Sequence, residues 1–320
     1  MQKDKIGRWI EATEKLDEQI NIGYAHIKHC TNHQSPQWLL LSHKQFDGIG
    51  GLIYLLRDKS YFNQLVIPRL REEDRPCVFK KVAALIRTLY TPIPHTPLIN
   101  LRKTKDEKDI CHLHPIAFKI FSIEETIKIK KAAKKADVSL NTFLLYHLNQ
   151  SVLDFFASQM DKVSWRIPVN MRGAVHILSE TANAWGFIQI IYEKNISMKQ
   201  LQLLIKEHLE KHEHWGFWLL CNILGSLSPD FILNATKNDI KKGFFLTGVF
   251  SNLGDWSHPI QDPDEAWLVS VPVIKYVPVG SVALIWAQKL SLTIQVHSSL
   301  TKDPHLVESM MECWKNKLLT

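Results

Sequence analysis

The sequence predicts a mixed α/β protein built from layered sheets and helices. Three observations predict it. Strand-like apolar runs and segments of helical period are interspersed in both halves of the 320-residue chain. Ser122-Ile-Glu-Glu125 has the spacing of a capping box, and Ser139 or Asn141 caps a second helix soon after. Near the end, Val282 to Ala287 and Leu290 to His297 are β-rich runs separated by Gln288-Lys289, the pattern of a hairpin. The length suits two packed units, because one core rarely grows past about 250–300 residues.

In chain order, residues 4–20 read as an amphipathic helix with Ile6, Trp9, Ile10 and Leu16 among charges. Tyr24 to Lys28 suits a strand. Trp38-Leu39-Leu40-Leu41 is a short apolar run suited to a buried strand, and Ile49 to Leu56 reads as a helix. Residues 60–80 are mixed, and the three prolines of 91–97 mark a loop. Pro115 to Phe121 is a strand. The capped helix runs from 122 to about Ala136, and its successor carries Phe143, Leu144, Leu148, Val152 and Phe155 on one side. Val163 to Val169, Trp185 to Tyr192 and Phe244 to Ser251 are strand-like. Met198 to His212, Trp215 to Leu224 and Pro304 to Leu319 are helical.

Composition removes several classes. Hydrophobic residues make up 45% of the chain, which excludes collagen-like and disordered proteins. The 13 glycines do not favour a large glycine-rich nucleotide site. The net charge of +7 is modest, and its main cluster (Lys128, Lys130, Lys131, Lys134, Lys135) lacks the base-reading or stacking side chains of a nucleic-acid module. The cluster reads as a solvated helix face, or as a surface that attracts anionic substrates or an acidic carrier. Five widely spaced cysteines, with no CxxC, argue against a disulfide framework and a thiolate zinc site and point to the cytoplasm. The front of the chain mixes charges and lacks a signal-peptide core, and no uncharged stretch reaches the roughly 20 apolar residues that span a bilayer.

The segment that carries chemistry is Ser42-His43-Lys44-Gln45-Phe46-Asp47-Gly48, between the apolar strand and the following helix. A strand end fixes an imidazole rigidly, a turn can fold Asp47 back beneath it, and Gly48 lets backbone approach closely. Histidine has the pKa a general base needs near neutrality. The residues alone leave two readings open: a base of this kind, or a buried histidine beside a solvated aspartate.

The context narrows the choice. Strand, HxxxDG and helix together resemble the signature of the coenzyme-A-dependent acyltransferase superfamily, which includes chloramphenicol acetyltransferase, condensation domains, BAHD acyltransferases and wax ester synthase/diacylglycerol acyltransferases. Many members carry HHxxxDG with the second histidine catalytic; here Ser42 holds the first place and His43 the second. Four further segments resemble family elements in the family's order: 138–145, 167–173 (Ile-Pro-Val-Asn-Met-Arg-Gly), 183–190 and Phe250-Ser251-Asn252-Leu-Gly254. The closing strands around 281–297 fit as well, so the likeness spans about residues 36–300.

The resemblance implies a two-lobed, chloramphenicol acetyltransferase-like mixed-sheet sandwich with a central channel. Its N-terminal lobe would be 1–158 and its C-terminal lobe 159–320. It implies acyl transfer from a CoA or carrier-protein thioester to a hydroxyl or amine acceptor, with no cofactor beyond that co-substrate and no metal. His43 would be the base. Asp47 would point away from the channel and pair with Arg172, Gly48 would allow the turn, and Ser251 or Asn252 would donate to the oxyanion. For Asn252, a turn residue bonding its own backbone is the competing reading. Relatives usually carry a longer segment before the motif, so an abbreviated front half is expected, with a second chain as one way to complete it. The alternative function is a catalytically impaired, condensation-domain-like module that binds a ligand or a protein.

Other signals are weaker. His208 and His212 have helical zinc spacing without a convergent carboxylate and read as a polar helix face, with His214 close by. His112 and His114 read as loop or strand-edge residues. Gly48-Ile-Gly-Gly51 reads as part of the HxxxDG turn and not as a phosphate loop. Trp215 to Leu224 reads as packed core; a peripheral membrane contact or an acyl-tunnel lining is the other reading.

Overall fold

The structure is a computed structural model that describes residues 5–15, 20–29, 36–70, 75–92, 94–98, 114–158 and 160–320. Cys30, Cys111 and His112 lie outside the described residues. The chain opens with helix α1 (Lys5–Glu14), strands β1 (Asn21–Ile27) and β2 (Leu39–Ser42), helices α2 (Gly48–Leu56) and α3 (Val78–Tyr90), and strand β3 (Ile116–Ile120). Helices α4 (Ile123–Lys135) and α5 (Leu140–Phe155) lead to β4 (Lys162–Asn170) and β5 (Trp185–Glu193). Helices α6 (Met198–Glu210), α7 (Glu213–Leu224) and α8 (Pro229–Lys241) precede β6 (Gly248–Asp255), β7 (Ala266–Ser270), β8 (Val279–Trp286), β9 (Lys289–Val296) and α9 (Pro304–Leu319).

The strands form two sheets. The larger has the order β3-β9-β8-β6-β4-β5, and the smaller β2-β1-β7. Each therefore takes strands from both halves of the chain. In the larger sheet β6 runs parallel to β4 and β8, while the other pairs are antiparallel. β7 of the small sheet packs on β8 and β9, where Ser291 Oγ donates to Trp267 O (2.7 Å) and Thr293 Oγ1 to Val269 O (2.5 Å). Helices α4, α5 and α9 cover the opposite face with a core that includes Phe121, Leu144, Leu148, Phe156 and Trp314. With both faces covered, every residue of β8 and β9 is buried, which explains their near-continuous apolar reading.

Local chemistry sets the element ends. Ser122 and Glu125 form the reciprocal capping box, and Ser139, not Asn141, caps α5 through Thr142 N. Each such cap contributes about 1 kcal/mol. The hairpin turns at Ala287 and Gln288, both at positive φ (46° and 64°), one residue earlier than the sequence suggested. Strand β2 is not buried as expected: Leu39 is half exposed, because β2 is the outer strand of the small sheet. Trp215, Phe217 and Cys221 of α7 are buried, as packed core requires. Three elements went unforeseen: α3, α8 and β7. Among the described residues no helix is long and apolar enough to cross a membrane. Cys77, Cys221 and Cys313 are free thiols.

Candidate active site

Residues 42–48 form the corner between β2 and α2. His43 N donates to Ile20 O (3.0 Å), extending the β1–β2 pairing by one bond and fixing the backbone that carries the imidazole. The turn then returns Phe46 O to His43 Nδ1 at 2.9 Å. A carbonyl only accepts, so Nδ1 carries the proton in this bond and Nε2 carries the basic lone pair. Asn183 Nδ2 donates to His43 O (3.0 Å), tying this corner to the segment before β5. The ring lies 5.9 Å from that of Trp185, between centroids.

Asp47 faces away from solvent and is saturated with donors. It caps α2 through Gly50 N (2.6 Å) and accepts Ala184 N (2.8 Å). Arg172 reaches it with both terminal nitrogens, at 3.0 and 2.9 Å. Arg172 is fully buried, and its remaining donors go to Glu180 O, Ala182 O and Asn170 Oδ1. A buried ion pair repays its desolvation only when geometry and extra hydrogen bonds are this complete. Tyr24, also buried, donates its hydroxyl to Asp47 O and Gly48 O, and desolvation raises its pKa well above the ordinary phenol value.

The glycines serve close packing. A Cβ on Gly50 would stand 2.2 Å from Thr181 O, and one on Gly51 would stand 2.1 Å from the Tyr24 hydroxyl. A Cβ on Gly48 would meet the Leu253 Cδ2 methyl at 2.9 Å. Gly48-Ile-Gly-Gly51 thus lets α2 seat against the Arg172 loop on one side and β1 on the other.

A cavity of about 180 Å³ lies between the two sheets. His43, Asp47, Gly48, Arg172, Ser251 and Asn252 all line it, so the structure brings the six candidate residues to one place. Ile22, Val249, Val269, Val271 and Val277 make most of the remaining wall apolar. Ser251 is buried on β6, whereas Asn252, also on β6, is exposed and its Oδ1 accepts Gly254 N (2.9 Å) at the bulge near the strand's end. Ser42, at the first place of the motif, is partly buried, and its Oγ has no hydrogen-bond partner among the described residues.

Sequence reasoning missed Tyr24, Asn183 and Arg166. Arg166 had a readable signal, being a charge in the middle of the apolar run Val163 to Val169. The histidines at 208–214 turn to other work. His208 pairs with Glu213, and His212 begins α7 in a left-handed conformation (φ 56°).

No family model and no curated protein matches this chain. Solved structures do. The first condensation domain of the calcium-dependent antibiotic synthetase is similar over the whole of this chain and 95% of its own, with a TM-score of 0.60 and 8% identity. The epimerization domain of the third module of tyrocidine synthetase B has a TM-score of 0.52 and 14% identity, over 88% of this chain and 67% of that one. A wax ester synthase/diacylglycerol acyltransferase from Marinobacter aquaeolei VT8 also has a TM-score of 0.52, at 10% identity, over 89% and 67%. The chain has the fold of condensation domains, the chloramphenicol acetyltransferase-like sandwich, and spans about two thirds of the length of the last two.

Proposed function

We propose that this protein is an acyltransferase that moves an acyl group from a CoA or carrier-protein thioester to a hydroxyl or amine acceptor, without a further cofactor. One observation carries the reading: His43 lines an apolar cavity on a turn that the Asp47–Arg172 pair locks from behind. The likeness of fold to condensation domains and to a wax ester synthase/diacylglycerol acyltransferase agrees with it.

In this reading His43 Nε2 takes the proton of the acceptor O–H or N–H as the oxygen or nitrogen attacks the thioester carbonyl. The new C–O or C–N bond forms and the carbonyl becomes an oxyanion. Ser251 Oγ–H donates to it, with Asn252 as second candidate, a stabilisation commonly worth about 3 kcal/mol. Collapse breaks the C–S bond, and the departing thiolate takes the proton back from His43 Nε2. Asp47 takes no proton in this cycle; it and Arg172 act as positioning residues. The apolar wall keeps water from competing as acceptor.

The test is thiol release from acetyl-, octanoyl- and palmitoyl-CoA by the purified protein, with and without a panel of small alcohols and amines. Acceptor-dependent release supports the reading. Binding of these thioesters without release under any acceptor favours the impaired, ligand-binding alternative.

A further inference from the structure

Arg166 lies on the cavity face of β4, in line with Pro168 and Asn170, which line the same wall. Its guanidinium stacks over Phe187 at 4.0 Å and stands 5.7 Å from the Phe244 ring centre. Its one polar contact among the described residues is a long bond from Nη2 to Gln189 Oε1, at 3.4 Å. No carboxylate of the described residues pairs with it, and its Nε is buried without an acceptor. Burial lowers its pKa to about 10, which still leaves it charged at neutrality. Trp185, which lines the same cavity, likewise has its Nε1 buried without an acceptor among the described residues. An apolar cavity with two unmet donors, one of them cationic, is chemically complementary to an apolar body bearing an anionic oxygen pair.

We propose that the cavity binds a small substrate bearing a carboxylate, with the carboxylate on Arg166 and the reacting end toward His43. The two residues are joined by a short aromatic wall. His43 faces Trp185 at 5.9 Å, Trp185 faces Phe187 at 6.2 Å, and Phe187 carries Arg166. The carboxylate belongs either to a dicarboxylic half-thioester donor or to an amino- or hydroxy-acid acceptor. Its status as a substrate rests on the acyl-transfer reading above; its binding does not.

The test is calorimetric binding of hexanoate and 1-hexanol, two probes that differ at one end, to wild-type protein, Arg166→Gln and Arg166→Lys. Wild type should prefer hexanoate by about tenfold or more. Arg166→Gln should erase that preference while keeping hexanol binding, and Arg166→Lys should keep part of it. Equal affinity of the two probes in wild type, binding of neither, or an unchanged preference in Arg166→Gln overturns the proposal. Thiol release with glutaryl-CoA against valeryl-CoA, and with 4-aminobutyrate against butylamine, tells donor from acceptor. If hexanoate preference depends on Arg166 but no thioester is turned over, the binding site stands and the acyltransferase reading falls.

Discussion

Arg172 and Asp47 stand 125 residues apart in sequence and meet in a buried two-point ion pair, with Nη1–Oδ2 at 3.0 Å and Nη2–Oδ1 at 2.9 Å. The pair joins the β2–α2 corner to the loop between β4 and β5, at the wall of the cavity. Removing one partner leaves the other charge buried and uncompensated. Asp47→Ala or Arg172→Met should each cost about 3–5 kcal/mol of unfolding free energy. Urea denaturation of both single variants and the double variant measures this, and the double should lose much less than the sum.

The three glycines of the corner differ in what opposes them. Gly50→Ala pushes against the Thr181 carbonyl, which is backbone, and should destabilise by about 3 kcal/mol. Gly51→Ala displaces the Tyr24 hydroxyl from its two carbonyls and should cost a similar amount. Gly48→Ala meets a leucine methyl end that can move, so it should be the mildest of the three. Thermal melts of the alanine series test the order.

His147 on α5 lies edge-on to Phe143 and Tyr146. Burial, with a smaller contribution from Lys317, pushes its pKa down from 6.5 to about 4. Between those values the unfolded chain binds a proton that the folded chain does not. This histidine's contribution to stability therefore falls as pH drops from 6.5 toward 4. His147→Leu should flatten the decline of Tm over that window, and the difference between the two Tm–pH curves isolates the histidine from carboxylates that also titrate.

Much of this was readable in advance because local rules and tertiary demands agree. The Ser122–Glu125 box and the cap at Ser139 announced themselves by capping chemistry. Helix α3 did not. It has no side-chain cap at Cys77 to mark its start, and although Val78, Val82 and Ile86 recur at helical spacing, that apolar stripe faces solvent and not the core. Strand β7 is five residues long and pairs with β1, whose paired residues lie 239 to 247 positions earlier, a partner no local pattern reveals. The placing of Asp47 against Arg172 came from resemblance alone. Arg166 could have been noticed as a charge in an apolar strand, but its cavity is made by both sheets together.

Ser251 and Asn252 should separate in function. Ser251→Ala should lower kcat for thiol release by roughly a hundredfold to a thousandfold with little change in Tm, whereas Asn252→Ala should mainly loosen the bulge near the end of β6. Steady-state kinetics and melting curves on the same preparations distinguish the two.

The most direct test is acceptor-dependent thiol release from acyl-CoA by His43→Ala beside wild type. His43 supplies the ring bond to Phe46 O, while the Asp47–Arg172 pair stays intact in the variant. Release should therefore fall by at least about a hundredfold, with the melting temperature within a few degrees of wild type. Full activity in a folded His43→Ala protein would contradict His43 as the base.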